Sequence, residues 1–164
     1  MPDYAPSIRV GERIISSEHP AFIVAEAACN HLCDMDNALK MIDEAAGAGA
    51  DAIKFQTYTA DKLTTKKAGA YGNISTASQY DYYRQFDRFG RAEYEELFDH
   101  ARQNGIIAFS TPFDPGNAQM LNSLQMPLFK IASCDIPYTD LFKVLSALRV
   151  HPDDAAQALP LARR

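Results

Sequence analysis

Four short apolar runs, each followed by a helical pattern, constrain the fold of this chain more than any other feature of its sequence. The apolar runs lie at residues 22–25, 52–56, 106–109 and 128–132. The helical patterns lie at residues 38–45, 91–104, 117–124 and 139–148. Because a crossover helix returns the chain so that the next strand starts in the same direction, this alternation predicts a parallel sheet.

The class of parallel fold stays open at this point. Strands covered on both faces are apolar throughout, which fits an open doubly wound sheet and also part of a (β/α)8 TIM barrel. Two β-type runs within residues 8–15 surround Gly11 and Glu12, a pattern that predicts an N-terminal hairpin. We therefore predict an α/β chain with about four βα units preceded by a short β-hairpin.

The remaining segments set the domain boundaries. Residues 57–78 form a long polar connection, a feature that is usually functional. Residues 80–89 are rich in Tyr and Phe, which predicts a short helix packed over its neighbours. Residues 149–164 are rich in Ala, Pro and Arg and show no strand pattern. We predict one domain over residues 1–148 and a divergent tail over residues 149–164, either a short helix or an unstructured end.

Composition excludes several classes of function. The net charge of −5, without a basic block, argues against nucleic-acid binding. No apolar run approaches the ~20 residues of a membrane span, and the N-terminus lacks the pattern of a signal peptide. Three cysteines, an odd number, fit a reducing compartment better than a disulfide framework. We therefore expect a cytoplasmic protein with no membrane partner.

Polar side chains collect where each predicted strand ends. They are Glu26, Lys54, Gln56, Thr57, Ser110, Thr111, Lys130, Ser133 and Asp135. The carboxyl ends of parallel strands meet at one side of a sheet, and ligands bind there. Side chains alternate along a strand, so Lys54 and Gln56 share one face.

Two lysines at one end of a sheet favour an anionic ligand. A single lysine in a strand is more often an edge residue whose charged end reaches water. Two at equivalent positions, Lys54 and Lys130, repel each other unless an anion lies between them. Glu26 can neutralise them in part. We predict a phosphate- or carboxylate-bearing ligand, with hydroxyl groups as further donors.

The loop after the first predicted strand offers weaker signals. Cys29, His31 and Cys33 alternate like a metal clip, but the spacing matches no common zinc pattern. We instead predict Asn30 and His31 as substrate contacts. Asp114, just before Pro115, can either cap the following helix or act in the site.

Four motifs in order over residues 8–148 together resemble a known family. They are Ala25-Glu26 with Asn30-His31, Gly49-Ala50-Asp51-Ala52-x-Lys54-Phe55-Gln56-Thr57, Phe109-Ser110-Thr111-Pro112-Phe113-Asp114, and Phe129-Lys130-Ile131-Ala132-Ser133. They resemble the N-terminal barrel of the N-acetylneuraminate (sialic acid) synthase family. The resemblance implies a (β/α)8 barrel, usually followed by a small antifreeze-like domain that caps the partner's site in a homodimer.

The resemblance also implies a reaction. The family is a group of transferases in carbohydrate biosynthesis that form a carbon–carbon bond. They condense phosphoenolpyruvate with an N-acylated hexosamine such as N-acetylmannosamine, giving a nine-carbon 2-keto sugar acid and phosphate. A divalent metal, manganese or magnesium, activates the open-chain aldehyde. The metal-binding histidines of the family come from later strands, so no metal site is expected here. We therefore predict a truncated copy that is inactive alone.

Residue roles follow from the matching motifs. The resemblance implies that phosphoenolpyruvate is held by Lys54, Lys130, Ser110 and Ser133, with Gln56, Thr57 and Thr111 nearby. Glu26 would contact the sugar or the metal-bound aldehyde. Asp135 lies where many relatives carry a glutamate that handles proton transfer or the attacking water. Glu26 and Asp135 are thus the predicted catalytic residues, although Asp135 is one methylene shorter.

Two other functions stay open. One is a non-catalytic remnant that keeps the anion site, and the other is a different phosphoenolpyruvate-condensing or aldolase-type barrel. About four βα units also leave open sheet edges, which favour association. We therefore expect the isolated chain to be dimeric or poorly soluble.

Overall fold

A β-hairpin in the amino-terminal part of the chain lies against the amino-terminal end of the central sheet. The computed structural model describes residues 7–70 and 78–148. Strands β1 (Ser7–Val10) and β2 (Arg13–Ser16) pair antiparallel, as predicted, and Gly11 supplies the positive φ of 56° at the turn. Arg13 forms an ion pair of 2.7 Å with Asp51, which directly precedes a strand of the sheet, Ala52–Thr57. This ion pair ties the hairpin to the sheet.

The sheet contains three parallel strands in sequence order. These are β3 (Val24–Ala28), β4 (Ala52–Thr57) and β5 (Ile107–Pro112). The predicted parallel arrangement is confirmed. The first strand was expected at residues 22–25, with Glu26 following it. Instead β3 runs through Glu26 to Ala28, and its register with β4 is irregular between Glu26 and Ala28. Glu26 therefore lies within the sheet, opposite Lys54.

The helices follow the predicted order with small shifts at their ends. They are α1 (Met35–Gly47), α2 (Ala60–Leu63), α3 (Gln79–Tyr83), α4 (Arg91–Gln103), α5 (Pro115–Ser123) and α6 (Thr139–Ala147), with a 3₁₀ turn at Ser133–Asp135 between the last two. Helices α1 and α4 cover one face of the sheet, where Ile42, Phe55 and Leu97 are fully buried. None of the helices in the described ranges is both long enough and apolar enough to cross a bilayer.

Carboxylates cap two of these helices. Asp34 accepts a hydrogen bond of 3.0 Å from the amide of Asn37 at the start of α1. Asp114 accepts bonds of 2.8 and 3.1 Å from the amides of Gly116 and Asn117 at the start of α5. The capping alternative for Asp114 is thus confirmed, because its carboxylate satisfies amides that have no partner within the helix.

The fourth predicted strand, residues 128–132, is wrong as a strand. The structure shows one parallel bridge between Ser110 and Phe129, and the amide of Lys130 donates to the carbonyl of Ser110 at 3.3 Å. Pro127 removes a donor just before the segment, and within the described ranges no strand pairs with its other side. Because the segment has a neighbouring strand on one side only, it forms a single bridge and no continuous ladder of backbone hydrogen bonds.

The connection after β4 is more structured than its polar sequence indicates. It contains the one-turn helix α2, and α3 is shorter than the helix expected over residues 80–89. The aromatic side chains pack on one another, for example Tyr82 on Phe86 at 5.3 Å between ring centres. Residues 71–77 of this connection and the predicted tail at 149–164 lie outside the described residues.

Candidate functional site

An ion pair between neighbouring strands marks the carboxyl side of the sheet. Glu26 and Lys54 are register partners in β3 and β4. The Nζ atom of Lys54 lies 2.6 Å from Oε2 and 2.8 Å from Oε1 of Glu26. The lysine side chain is 12% exposed and the glutamate 52%. Glu26 therefore serves as the counter-charge that the sequence predicts, and it lies on the more open side of the pair.

Three further predicted residues extend this face of the sheet. Gln56 lies on the same face of β4 as Lys54, and its register partner on β5 is Thr111, which is 3% exposed. The bridge pairs Phe129 with Ser110. The next residue, Lys130, therefore lies beside Thr111 in the same row across the sheet. Lys130 is exposed, and its Nζ atom donates to a backbone carbonyl at 2.6 Å. Among the described residues it has no carboxylate partner.

The turn at Ser133–Asp135 follows this segment. Ser133 is exposed, whereas Asp135 is partly covered. The Oδ2 atom of Asp135 is buried without a hydrogen-bond partner among the described residues, while Oδ1 accepts a weak bond from the thiol of Cys134 at 3.8 Å. Burial raises the pKa of the Asp135 carboxyl, and the Cys134 contact opposes it only in part. A carboxyl with a raised pKa is suited to proton transfer.

Ser110 and Thr57 do not point toward the two lysines. Ser110 is the register partner of Phe55, so its side chain lies on the helix-covered face of the sheet. Its hydroxyl is 2.6 Å from the hydroxyl of Thr57, and the two residues are 0% and 2% exposed. The buried hydroxyl of Tyr94 donates to the backbone carbonyl of Gln56 at 2.8 Å, and burial raises its pKa. This placement favours a structural role over the predicted contact with phosphoenolpyruvate.

His31 is also placed differently from the prediction. Its ring is 2% exposed, stacks on Phe89 at 4.6 Å and meets the edge of Phe55 at 5.8 Å. Nδ1 accepts from the amide of Cys33 at 3.2 Å, and Nε2 is buried without a partner in the described chain. Burial lowers the pKa of the imidazole. His31 therefore holds the loop in the core, whereas Asn30 is exposed beside it.

Cys29 contacts Gln56 of the candidate site, although it was not among the predicted site residues. Its thiol lies 3.8 Å from Oε1 of Gln56. Burial raises the thiol pKa to about 11, which makes Cys29 a poor metal ligand. No group of three or more candidate ligands for a metal occurs in the described part of the chain. The sequence feature that could have indicated this contact is the position of Cys29 directly before Asn30, a predicted substrate contact.

Comparison with known proteins places this geometry in a family. The NeuB family profile matches residues 41–150, well over half of the chain. The spore coat polysaccharide biosynthesis protein SpsE of Bacillus subtilis is 35% identical over 150 residues, which are 87% of this chain and 38% of that protein. The pseudaminic acid synthase of Campylobacter jejuni serotype O:2 is 33% identical over 123 residues, which are 72% of this chain and 36% of that protein.

A solved structure shows the same fold. The crystal structure of the N-acetylneuraminic acid (sialic acid) synthetase from Leptospira borgpetersenii serovar Hardjo-bovis, in complex with citrate, superposes with a TM-score of 0.77 at 33% identity. The match covers 90% of this chain and 48% of that one. This chain thus spans less than half the length of each of these relatives. Both the sequence match and the shared fold lead to one conclusion: the chain belongs to the NeuB family.

Proposed function

We propose that this chain supplies the phosphoenolpyruvate side of a sialic-acid-synthase-like active site. The reaction would condense phosphoenolpyruvate with an N-acylated hexosamine of the N-acetylmannosamine type, giving a nine-carbon 2-keto sugar acid and phosphate. The observation that carries the proposal is the face shared by the Glu26–Lys54 pair, Gln56 and Thr111. This face continues toward Lys130, which has no carboxylate partner among the described residues. Its relatives in the NeuB family include synthases of this kind.

The two lysines would hold the anion. Phosphoenolpyruvate carries a phosphate and a carboxylate, so one ligand would offer an anionic group to each of Lys54 and Lys130 and relieve their repulsion. Ser133 is exposed and can donate its hydroxyl, and Gln56 and Thr111 lie on the same face as Lys54. Ser110 and Thr57 would contribute indirectly, because their mutual hydrogen bond fixes β4 against β5 immediately below this face.

The carboxylates of Glu26 and Asp135 would stabilise charge and transfer protons. When an anion draws Lys54 away, Glu26 becomes free to face the acceptor sugar, since it is the more exposed member of the pair. C3 of phosphoenolpyruvate would attack the aldehyde carbon, whose oxygen takes up a proton, and positive charge develops at C2. Water then adds to C2 with loss of a proton, and the C2–O bond to the phosphate breaks, which releases phosphate and leaves the 2-keto group. A carboxylate stabilises that charge or activates the water that attacks it. Asp135, with its raised pKa, would take this second role.

The divalent metal of the family does not fit the residues that the structure describes. They include no cluster of three His, Cys, Asp or Glu side chains, and the Cys29 thiol is held protonated by burial. No step proposed here therefore uses a metal. A manganese or magnesium requirement, a homodimer and a cytoplasmic location are proposals for the complete enzyme and rest on family resemblance and on the cysteine count.

A phosphate-release assay tests the proposal and separates it from its alternatives. The assay combines phosphoenolpyruvate, manganese and a panel of acceptors: N-acetylmannosamine, its phosphate, a dideoxy-diamino sugar and a simple aldose phosphate. The 164-residue chain should bind phosphoenolpyruvate but release no phosphate. A longer polypeptide containing it should release phosphate with an amino-sugar acceptor. Binding without turnover there would favour the non-catalytic remnant, and turnover with the aldose phosphate would favour a different condensing barrel.

A further inference from the structure

Cys29 contacts the candidate site from a loop outside the sheet. It follows β3 directly, and its thiol donates a weak S–H···O hydrogen bond of 3.8 Å to Oε1 of Gln56 on β4. Both side chains are half-buried. The contact therefore joins the loop after β3 to the face of the sheet that carries Lys54.

The protonation state of Cys29 decides which way the Gln56 carboxamide lies. Burial raises the pKa of the thiol to about 11, so the thiol keeps its proton at neutral pH. A carboxamide accepts hydrogen bonds through its oxygen and donates them through its NH₂ group. A thiol that donates therefore selects the orientation in which the oxygen faces Cys29 and the NH₂ group faces away from it.

The NH₂ group of Gln56 is available to a ligand. It forms no hydrogen bond with another residue in the described ranges. Two side-chain atoms in those ranges are buried without a partner, Nε2 of His31 and Oδ2 of Asp135, and the Gln56 nitrogen is not one of them. It is therefore open to solvent on the face that Gln56 shares with Lys54. From there it can donate to an anionic oxygen, as the lysine does.

The backbone is fixed on both sides of the contact between Cys29 and Gln56. On the strand side, the buried hydroxyl of Tyr94 donates to the carbonyl of Gln56 at 2.8 Å. The loop contains non-glycine residues with positive φ, which persist only where the surroundings impose them. These residues are Ala28, Leu32 and Cys33, at 49°, 55° and 56°. The buried ring of His31, stacked on Phe89 at 4.6 Å, holds the loop in this conformation.

We propose that Cys29 is a positioning residue that orients the Gln56 carboxamide, so that its NH₂ group donates to an oxygen of phosphoenolpyruvate. This inference rests on the proposed function, because that function names the ligand. The orientation matters to an anion, since a reversed carboxamide would present its oxygen and repel the ligand. Cys29 itself contacts no ligand and acts through Gln56.

A double-mutant cycle, measured by calorimetric titration with phosphoenolpyruvate, tests this inference. Cys29→Ala should lower the affinity about twofold to fivefold, in keeping with the loss of a weak hydrogen bond. Cys29→Ser keeps a donor and should lose less than about twofold. In a Gln56→Ala background, Cys29→Ala should have no further effect, because no carboxamide remains to be oriented.

The matched control is Cys33→Ala in the same loop, which should bind as the unmodified chain does. If Cys29→Ala causes the same loss with and without Gln56, the thiol acts through general packing and the proposal is overturned. No loss in Cys29→Ala, or a loss that Cys29→Ser does not reduce, would also overturn it.

A second measurement needs no ligand. With Cys33→Ala and Cys134→Ala, Cys29 is the only thiol of the chain, and the Raman band of its S–H stretch reports its hydrogen bond. Gln56→Ala should move this band to the higher frequency of an unbonded thiol. Tyr58→Phe is the control, because the Tyr58 hydroxyl also acts on the thiol, and it should leave the band in place.

The band also separates this inference from the proposed function. A band that Gln56→Ala does not move, or that Tyr58→Phe moves instead, would overturn the role of Cys29. A band that moves as expected, in a chain that binds no phosphoenolpyruvate, would support the orientation of Gln56 by Cys29 and contradict the proposed function.

Discussion

The Nζ atom of Lys54 lies 2.6 Å from the carboxylate of Glu26 across two neighbouring parallel strands. This contact explains how a lysine that is only 12% exposed is tolerated in an apolar strand, since a covered charge needs a partner. It also means that an anionic ligand must compete with Glu26 for the lysine.

The first prediction follows from that competition. Glu26→Gln removes the charge of the competitor, so phosphoenolpyruvate should bind about twofold to fivefold more tightly, equivalent to the ~0.5–1 kcal/mol of a partly exposed ion pair. Calorimetry measures the affinity. Asp140→Asn is the matched control, because it frees Lys143 on α6 and neither residue is among the proposed contacts. Unchanged or weaker binding to Glu26→Gln would show that Lys54 does not reach the ligand.

The second prediction concerns the buried hydroxyl pair. Ser110→Ala and Thr57→Val should each lower the free energy of unfolding by about 1–3 kcal/mol, because each leaves one buried hydroxyl with one partner fewer. The double variant should cost less than the sum of the two, which urea unfolding can measure. Phosphoenolpyruvate affinity should stay close to that of the unmodified chain. A large loss of phosphoenolpyruvate affinity in Ser110→Ala would instead support a direct contact between Ser110 and the ligand, as the family resemblance implies.

The third prediction is a pH dependence of stability at His31. Burial lowers the pKa of His31 in the folded chain below its ordinary value of 6.5, so the unfolded chain takes up the proton first as the pH falls. Stability is therefore lost below pH ~6.5, by at most about 1.4 kcal/mol per pH unit for this one group. His31→Phe keeps a ring against Phe89 and cannot titrate.

The difference in unfolding free energy between the unmodified chain and His31→Phe should thus shift in favour of the variant between about pH 7 and pH 5. Urea unfolding at several pH values measures it, and the other titrating groups cancel because both chains carry them. A difference that does not vary with pH would mean that His31 is protonated equally in the folded and unfolded chains.

The sequence allows the order of strands and helices to be predicted because their patterns depend on local periodicity. The ends of the strands depend on pairing that no local pattern reports. The apolar run at residues 22–25 was expected to end before Glu26, yet β3 continues through Glu26, since Lys54 neutralises its charge. The fourth apolar run, at 128–132, lacks a second neighbour among the described residues and forms only a bridge.

The candidate site, too, could be predicted from the sequence only in part. Alternation along β4 correctly puts Lys54 and Gln56 on one face, because the side-chain period of a strand is two. The same rule applied to Ser110 requires the register between β4 and β5, which the sequence does not provide, and Ser110 lies on the opposite face. The burial of His31 depends on Phe89, 58 positions further along the chain, so only the folded structure could show it.

In the proposed site, Lys54 and Lys130 bind the two anionic groups of phosphoenolpyruvate. The most direct test is calorimetric titration of the 164-residue chain with phosphoenolpyruvate, compared with Lys54→Ala, Lys130→Ala and the control Lys143→Ala. Each of the first two should lose about tenfold to a hundredfold in affinity, the effect of removing a charged hydrogen bond, and the control should lose none. Equal binding by all four proteins, or no binding by the unmodified chain, would show that these lysines do not hold phosphoenolpyruvate.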